Sequence, residues 1–143
     1  MLKRLSVVML AAFSLACAED EPRITVTMTG APFTRGADAA QPGDFAAVVS
    51  YIVASEGGQN AYVGTCGDNV DAPIDRMVGG QWTPYDNDYC PATAVRGSAR
   101  IAKNRRRMGM AVIADTGVYR VRVEYVTESN AKSTAVSDTF HVR

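Results

Sequence analysis

The chain has little of what most enzyme and metal chemistry requires. It holds one His, one Trp and three Cys in 143 residues. A single His cannot build a His-x-x-x-His metal pair, and no two cysteines stand at the Cys-x-x-Cys spacing of redox and zinc sites. Gly-x-Ser-x-Gly elbows and phosphate-binding loops are also missing. Fifteen basic residues cancel fifteen acidic ones, which argues against a basic nucleic-acid binder. No apolar run reaches the roughly twenty residues of a membrane-spanning helix. What remains is 47% hydrophobic and 21% charged residues, the composition of one ordinary folded domain.

The N-terminus reads as an export signal. Lys3 and Arg4 precede Leu5 to Ala16, an uncharged apolar or small run of signal-peptide length. Ala16-x-Ala18 fits ordinary cleavage before Glu19. Leu15-Ala16-Cys17 instead resembles a bacterial lipobox, in which the cysteine is lipidated, although Ser14 stands where that motif carries Leu. The expected division is therefore a signal at 1–16 (1–18 under ordinary cleavage), a tether at 17–23 and a domain at 24–143. The lipobox resemblance implies an envelope location with a lipid anchor at Cys17, and Ala18 points to an outer membrane where one exists. Removing Lys3 and Arg4 leaves 13 basic against 15 acidic side chains, a charge of −2.

The rest of the chain reads as strands. Ile24 to Thr29 alternates apolar and Thr residues, the period of a half-buried strand. Phe45 to Ser55 is apolar on both faces and long enough for a short helix, but Val48, Val49, Tyr51, Ile52 and Val53 favour a central strand. A turn at 56–60 leads into a strand from Ala61 to Cys66. Gly79-Gly80 between Ile74–Val78 and Gln81–Tyr85 predicts a hairpin, because a type I′ turn needs positive φ at both central residues. Residues 86–98 look irregular, and Arg100 to Ile113 reads as one or two strands around Lys103-Asn-Arg105-Arg106-Arg107. Val118 to Val126 alternates Tyr119, Val121, Val123 and Tyr125 with Arg120, Arg122 and Glu124, the clearest strand of the chain. After a turn at 127–132, Val136, Phe140 and Val142 predict a last strand, with Asp138 at a bulge. Seven or eight short strands without a helix predict an all-β, antiparallel sandwich.

Asp115-Thr116-Gly117-Val118-Tyr119 resembles the tyrosine corner of immunoglobulin-like sandwiches, with Asp115, Gly117 and Tyr119 at the matching positions. Val121 stands where antibody domains have their second cysteine, so the resemblance is to bacterial immunoglobulin-like or fibronectin-like domains. Cys66-Gly67-Asp68, a Gly-Gly-x-Trp turn and Cys90-Pro91 together resemble a pattern of small bacterial lipoproteins.

Two cysteines remain once Cys17 is assigned to the lipid or removed, so Cys66 and Cys90 are expected to form a structural disulfide. Asp68, Asp71, Asp75, Asp86 and Asp88, with Asn69 and Asn87, crowd that region; Asp68, Asp71, Asp86 and Asp88 are the weak candidates for calcium, but turns use the same residues and no fixed ligand spacing is present. Met108-x-Met110 reads as core filling rather than a soft-metal site. The basic run at 103–107 reads as a solvated hairpin loop, with phosphate or anionic lipid headgroups the functional alternative. Ser137, Asp138 and His141 lie too close along an extended chain to converge as a triad. The expectation is a non-enzymatic envelope lipoprotein without a cofactor, a binding or accessory module for a protein or glycan. The alternatives are a protease inhibitor using the loop at 86–98 pinned by Cys90, and a calcium-binding module.

Overall fold

The computed structural model describes residues 22–34, 46–86, 90 and 92–143. Within them the chain is all β, a mixed sheet of eleven strands that does not close into a barrel. The strands are β1 (Arg23–Thr29), β2 (Ala47–Glu56), β3 (Ala61–Cys66), β4 (Asn69–Val70), β5 (Ile74–Val78), β6 (Gln81–Tyr85), β7 (Arg96–Ile101), β8 (Arg106–Ile113), β9 (Gly117–Thr127), β10 (Lys132–Val136) and β11 (Phe140–Val142). The hydrogen-bonded order is β1-β2-β8-β4-β3-β9-β5-β6, with β7 on β3 and both β10 and β11 on β9.

Strand β9 organises this arrangement. At about 3.3 Å per residue its eleven residues span some 36 Å, long enough to serve two partners along each edge. Along one edge it pairs with β3 at Tyr125–Thr127 and then with β5 at Tyr119–Val121. Along the other it pairs with β10 and then β11. The single last strand expected from sequence is thus two strands, separated at Ser137–Thr139. The Ser137 hydroxyl accepts the Val121 N–H at 2.9 Å and donates to the Asp138 carbonyl, so the break keeps its backbone partners.

Three other expectations are corrected. The strands number eleven rather than seven or eight, because the two-residue β4 and the divided C-terminal strand carry no pattern long enough to read. The sheet is not wholly antiparallel: β4 meets β8 in parallel at Val70 and Gly109. Residues 96–98, read as irregular, begin β7, which pairs antiparallel with β3 throughout. Arg96, Gly97 and Ser98 are exposed, so this edge strand lacks the apolar signal that marks a half-buried one. The hairpin at Gly79 and Gly80 has φ of 57° and 82°, the conformation that glycine adopts without steric cost.

The core lies on one face of the long strands. Val49, Tyr51 and Val53 from β2, Ala61 and Val63 from β3, Ala111 and Ile113 from β8 and Val121 and Val123 from β9 are all buried. The opposite face of β2, also apolar in sequence, is only partly covered: Val48 is 60% exposed, while Ser50, Ile52 and Ala54 are half-buried. Met108 and Met110 share that face and do not fill the core. Tyr51 is fully buried and its hydroxyl donates to the Val70 carbonyl at 2.9 Å. This bond ties β2 to the short β4, which has few contacts of its own.

Candidate functional site

β3 and β9 pair over only three residues before they diverge. Residues 71–73 enter the opening: the Asp71 N–H donates to the Gly64 carbonyl at 3.0 Å, and the Arg122 N–H to the Pro73 carbonyl at 2.9 Å. Above this junction lies a groove of about 500 Å³ on the outer face of the sheet. Strand alternation sends Tyr62 from β3, Glu124 from β9, and Lys132 and Thr134 from β10 to this face. Ser98 on β7, opposite Gly64, and Asp71 complete its polar wall. Asp71 is held by the Arg96 guanidinium at 2.9 Å, and Glu124 by that of Arg122 at 3.2 Å. The groove therefore offers one accessible aromatic ring, oriented carboxylates and hydroxyls, which can form hydrogen bonds in both directions.

Beside the groove, an ion-pair cluster ties β5 to β9. Asp75 is 4% exposed and accepts from Arg120 Nε at 2.9 Å, with Arg122 Nε 3.5 Å from its other oxygen. Arg120 also stacks over the Trp82 ring, 4.5 Å from its centre. Composition alone groups Asp75 with the turn carboxylates. The alternating arginines of β9 were visible in sequence, but their partner on β5 was not, because the contact spans 45 residues.

The residues singled out from sequence fall as follows. Cys66 and Cys90 are bonded, which fastens the end of β3 to the segment that leads into β7. The Tyr119 hydroxyl donates to the Asp115 carbonyl at 2.8 Å, the contact that a tyrosine corner makes, and Gly117 begins β9. Arg76 from β5 reinforces this corner by donating to the Thr116 carbonyl and lying 5.8 Å above the Tyr119 ring.

Among the described residues the carboxylates considered for calcium do not gather. Asp71 and Asp75 are engaged by arginines, Asp68 and Asp86 stand exposed on different segments, and Asp88 lies outside the described residues. Among the described residues no three His, Cys, Asp or Glu side chains come close enough to hold a metal ion. His141 is exposed on β11, whereas Ser137 is buried and bonded to backbone. Cys17 and residues 87–89 and 91 of the loop at 86–98 lie outside the described residues.

One titration is strongly perturbed. Burial pushes the Tyr51 phenol well above the usual tyrosine range, and the negative charge of Asp71 adds to this, while a backbone hydrogen bond from Ala72 acts in the opposite direction. Tyr51 is therefore a structural group, held protonated in the core.

No family model and no curated protein matches the chain. Two solved structures are similar to it in outline. The structural-genomics target SoR45 has 15% identity, with 87% of this chain and 85% of that one covered and a TM-score of 0.41. A Bordetella pertussis protein designated ApaA has 14% identity, with 85% and 93% covered and a TM-score of 0.49.

Proposed function

We propose that this chain is a non-enzymatic envelope lipoprotein, anchored through Cys17, whose immunoglobulin-like sandwich binds a glycan in the groove between β3, β9 and β10. The anchor rests on the uncharged run ending at Cys17 and the tether that follows it. The immunoglobulin-like reading is supported by the Tyr119–Asp115 bond at the start of the longest strand. One observation carries the binding role: Tyr62, 39% exposed, stands beside Asp71 and Glu124, whose carboxylates are already oriented by arginines. An aromatic face can pack on the C–H face of a sugar ring, and fixed acceptors match its hydroxyls at little ordering cost. The only His stands exposed on β11, apart from the groove.

Saturation-transfer NMR against a panel of soluble oligosaccharides tests this reading. Binding that Tyr62→Ala and Glu124→Gln each weaken at least several-fold supports it. Absence of binding across the panel, or binding indifferent to both substitutions, overturns it.

A second reading, protease inhibition, draws on Val95. This side chain is 79% exposed, and its carbonyl accepts the Gly67 N–H at 3.0 Å. It also lies between the disulfide at Cys90 and the Asp71–Arg96 ion pair. A constrained, exposed apolar residue suits insertion into a protease cleft. Loss of inhibition in Val95→Asp, measured on a serine- and cysteine-protease panel, is its test.

A further inference from the structure

The start of β1 and the basic run, far apart in sequence, meet at one end of the sheet. Arg23, the first residue of β1, stands opposite Glu56, the last of β2. The turn between β7 and β8 folds onto the same place: the Asn104 N–H donates to the Ser55 carbonyl at 2.9 Å, and the Ser55 N–H to the Arg105 carbonyl at 3.0 Å. Asn60 receives the Lys103 N–H on its carbonyl oxygen and donates to Glu128, which draws in the turn after β9. Lys132 begins β10 at this same end.

The charges there are not balanced. Among the described residues Arg23, Lys103, Arg105, Arg106, Arg107 and Lys132 give six cations there, against two carboxylates, Glu56 and Glu128. Glu19, Asp20 and Glu21 precede Arg23 in the sequence, so the excess over the whole end is one. The mature chain as a whole carries −2, so positive charge is concentrated at this end. Among the described residues no carboxylate lies within ion-pair distance of Lys103, Arg105, Arg106 or Arg107. Lys103, Arg105 and Arg106 are exposed.

We infer that this basic end docks on an anionic lipid surface, and that the inference deepens the anchored reading by assigning the anchor a second, electrostatic contact. Cys17 lies six residues before Arg23, so a fully extended tether holds β1 within about 20 Å of the lipid. Ionic screening limits the attraction to about 8 Å, so only groups at the tethered end can reach the headgroups. The turn carrying Lys103 to Arg107 is at that end, and a lipid headgroup layer supplies the negative charge it lacks. Docking in this way sets the orientation of the domain relative to the membrane. Glu19, Asp20 and Glu21 on the tether oppose the contact and moderate its strength.

The test uses the mature chain, residues 17–143, with Cys17→Ser so that no acyl chain contributes. Co-sedimentation is measured with phosphatidylcholine vesicles and with vesicles holding about one-third phosphatidylglycerol. Expected is binding to the anionic vesicles only, weakened by salt. Each basic side chain strengthens such partition by about five-fold, so Lys103→Gln/Arg105→Gln/Arg106→Gln weakens it by more than ten-fold. Arg143→Gln, a neutralisation at the C-terminus, changes it little. Should the triple variant misfold, Arg106→Gln alone is expected to show the five-fold step. Equal binding to both vesicle types, or triple-variant binding equal to wild type, overturns the inference. So does displacement by inorganic phosphate beyond that by chloride of equal ionic strength, which would mark a free-anion site. Acylation is read separately, by intact mass at Cys17 in envelope material. A missing acyl group overturns the anchor and leaves the vesicle result standing, so the two failures are distinguishable.

Discussion

Tyr51 and Gly109 face each other across β2 and β8, and the Tyr51 ring occupies the space where a side chain at position 109 would stand. A Cβ added there would lie 2.2 Å from Tyr51 Cε2 and 2.6 Å from its hydroxyl. Gly109→Ala must therefore displace a fully buried ring and its bond to Val70. The expected loss is about 3 kcal/mol, the upper range for overpacking a core. Urea unfolding measures it, and a loss below about 0.5 kcal/mol would show that the ring has room to move.

The Tyr51 phenol also makes stability depend on alkaline pH. Its folded pKa lies above the ordinary value of about 10, mainly through burial. The unfolded chain thus gives up this proton at lower pH than the folded one. The stabilisation is complete below about pH 10 and is lost as pH rises further. Between about pH 10 and 11, unfolding free energy is expected to fall up to about 1.4 kcal/mol per pH unit more steeply in wild type than in Tyr51→Phe. Denaturation midpoints in both proteins test this, and parallel slopes would contradict it. At neutral pH, Tyr51→Phe leaves the Val70 carbonyl without its partner and costs about 1–3 kcal/mol.

The Cys66–Cys90 bond closes a separation of 24 residues that contains β4, β5 and β6. Replacing both cysteines with Ala is expected to cost about 2–4 kcal/mol, while the pairing of β9 with β10 persists. Hydrogen exchange separates the two effects: protection drops around residues 66–85 and stays high in β9. Two free thiols in protein purified without reductant would refute the bond itself.

Asp75 is nearly buried between two arginines that remain partly exposed. Asp75→Asn is expected to cost about 2–3 kcal/mol, less than the 3–5 kcal/mol of a fully buried pair because water can still reach both guanidinium groups. Loosening of β5–β6 from β9 accompanies it, and a shift in Trp82 fluorescence reports this, since Arg120 would leave the indole face. An unchanged emission spectrum with unchanged stability would show that the cluster is decorative.

Much of this architecture is legible without coordinates. The alternation of Tyr119, Val121 and Val123 with charged residues specifies β9, because side chains in an extended chain point to opposite sides in turn. Gly79-Gly80 specifies its hairpin through φ alone, and Asp-x-Gly-x-Tyr brings the Tyr119 hydroxyl back onto the Asp115 carbonyl at the start of β9. Each signal is local, with cause and effect within a few residues. The two-residue β4, the polar edge strand β7 and the division of the last strand into β10 and β11 have no such signal, since their partners alone hold them in place. The surfaces proposed for binding belong to this second kind. Tyr62, Asp71, Glu124 and Lys132 line one groove only because β3 and β9 diverge after three paired residues. Arg23 and the 103–107 turn share one end only because β1, β2 and β8 lie side by side. Residue chemistry and local period are written in the chain, whereas which distant side chains become neighbours is decided by strand pairing, which no short stretch of sequence contains.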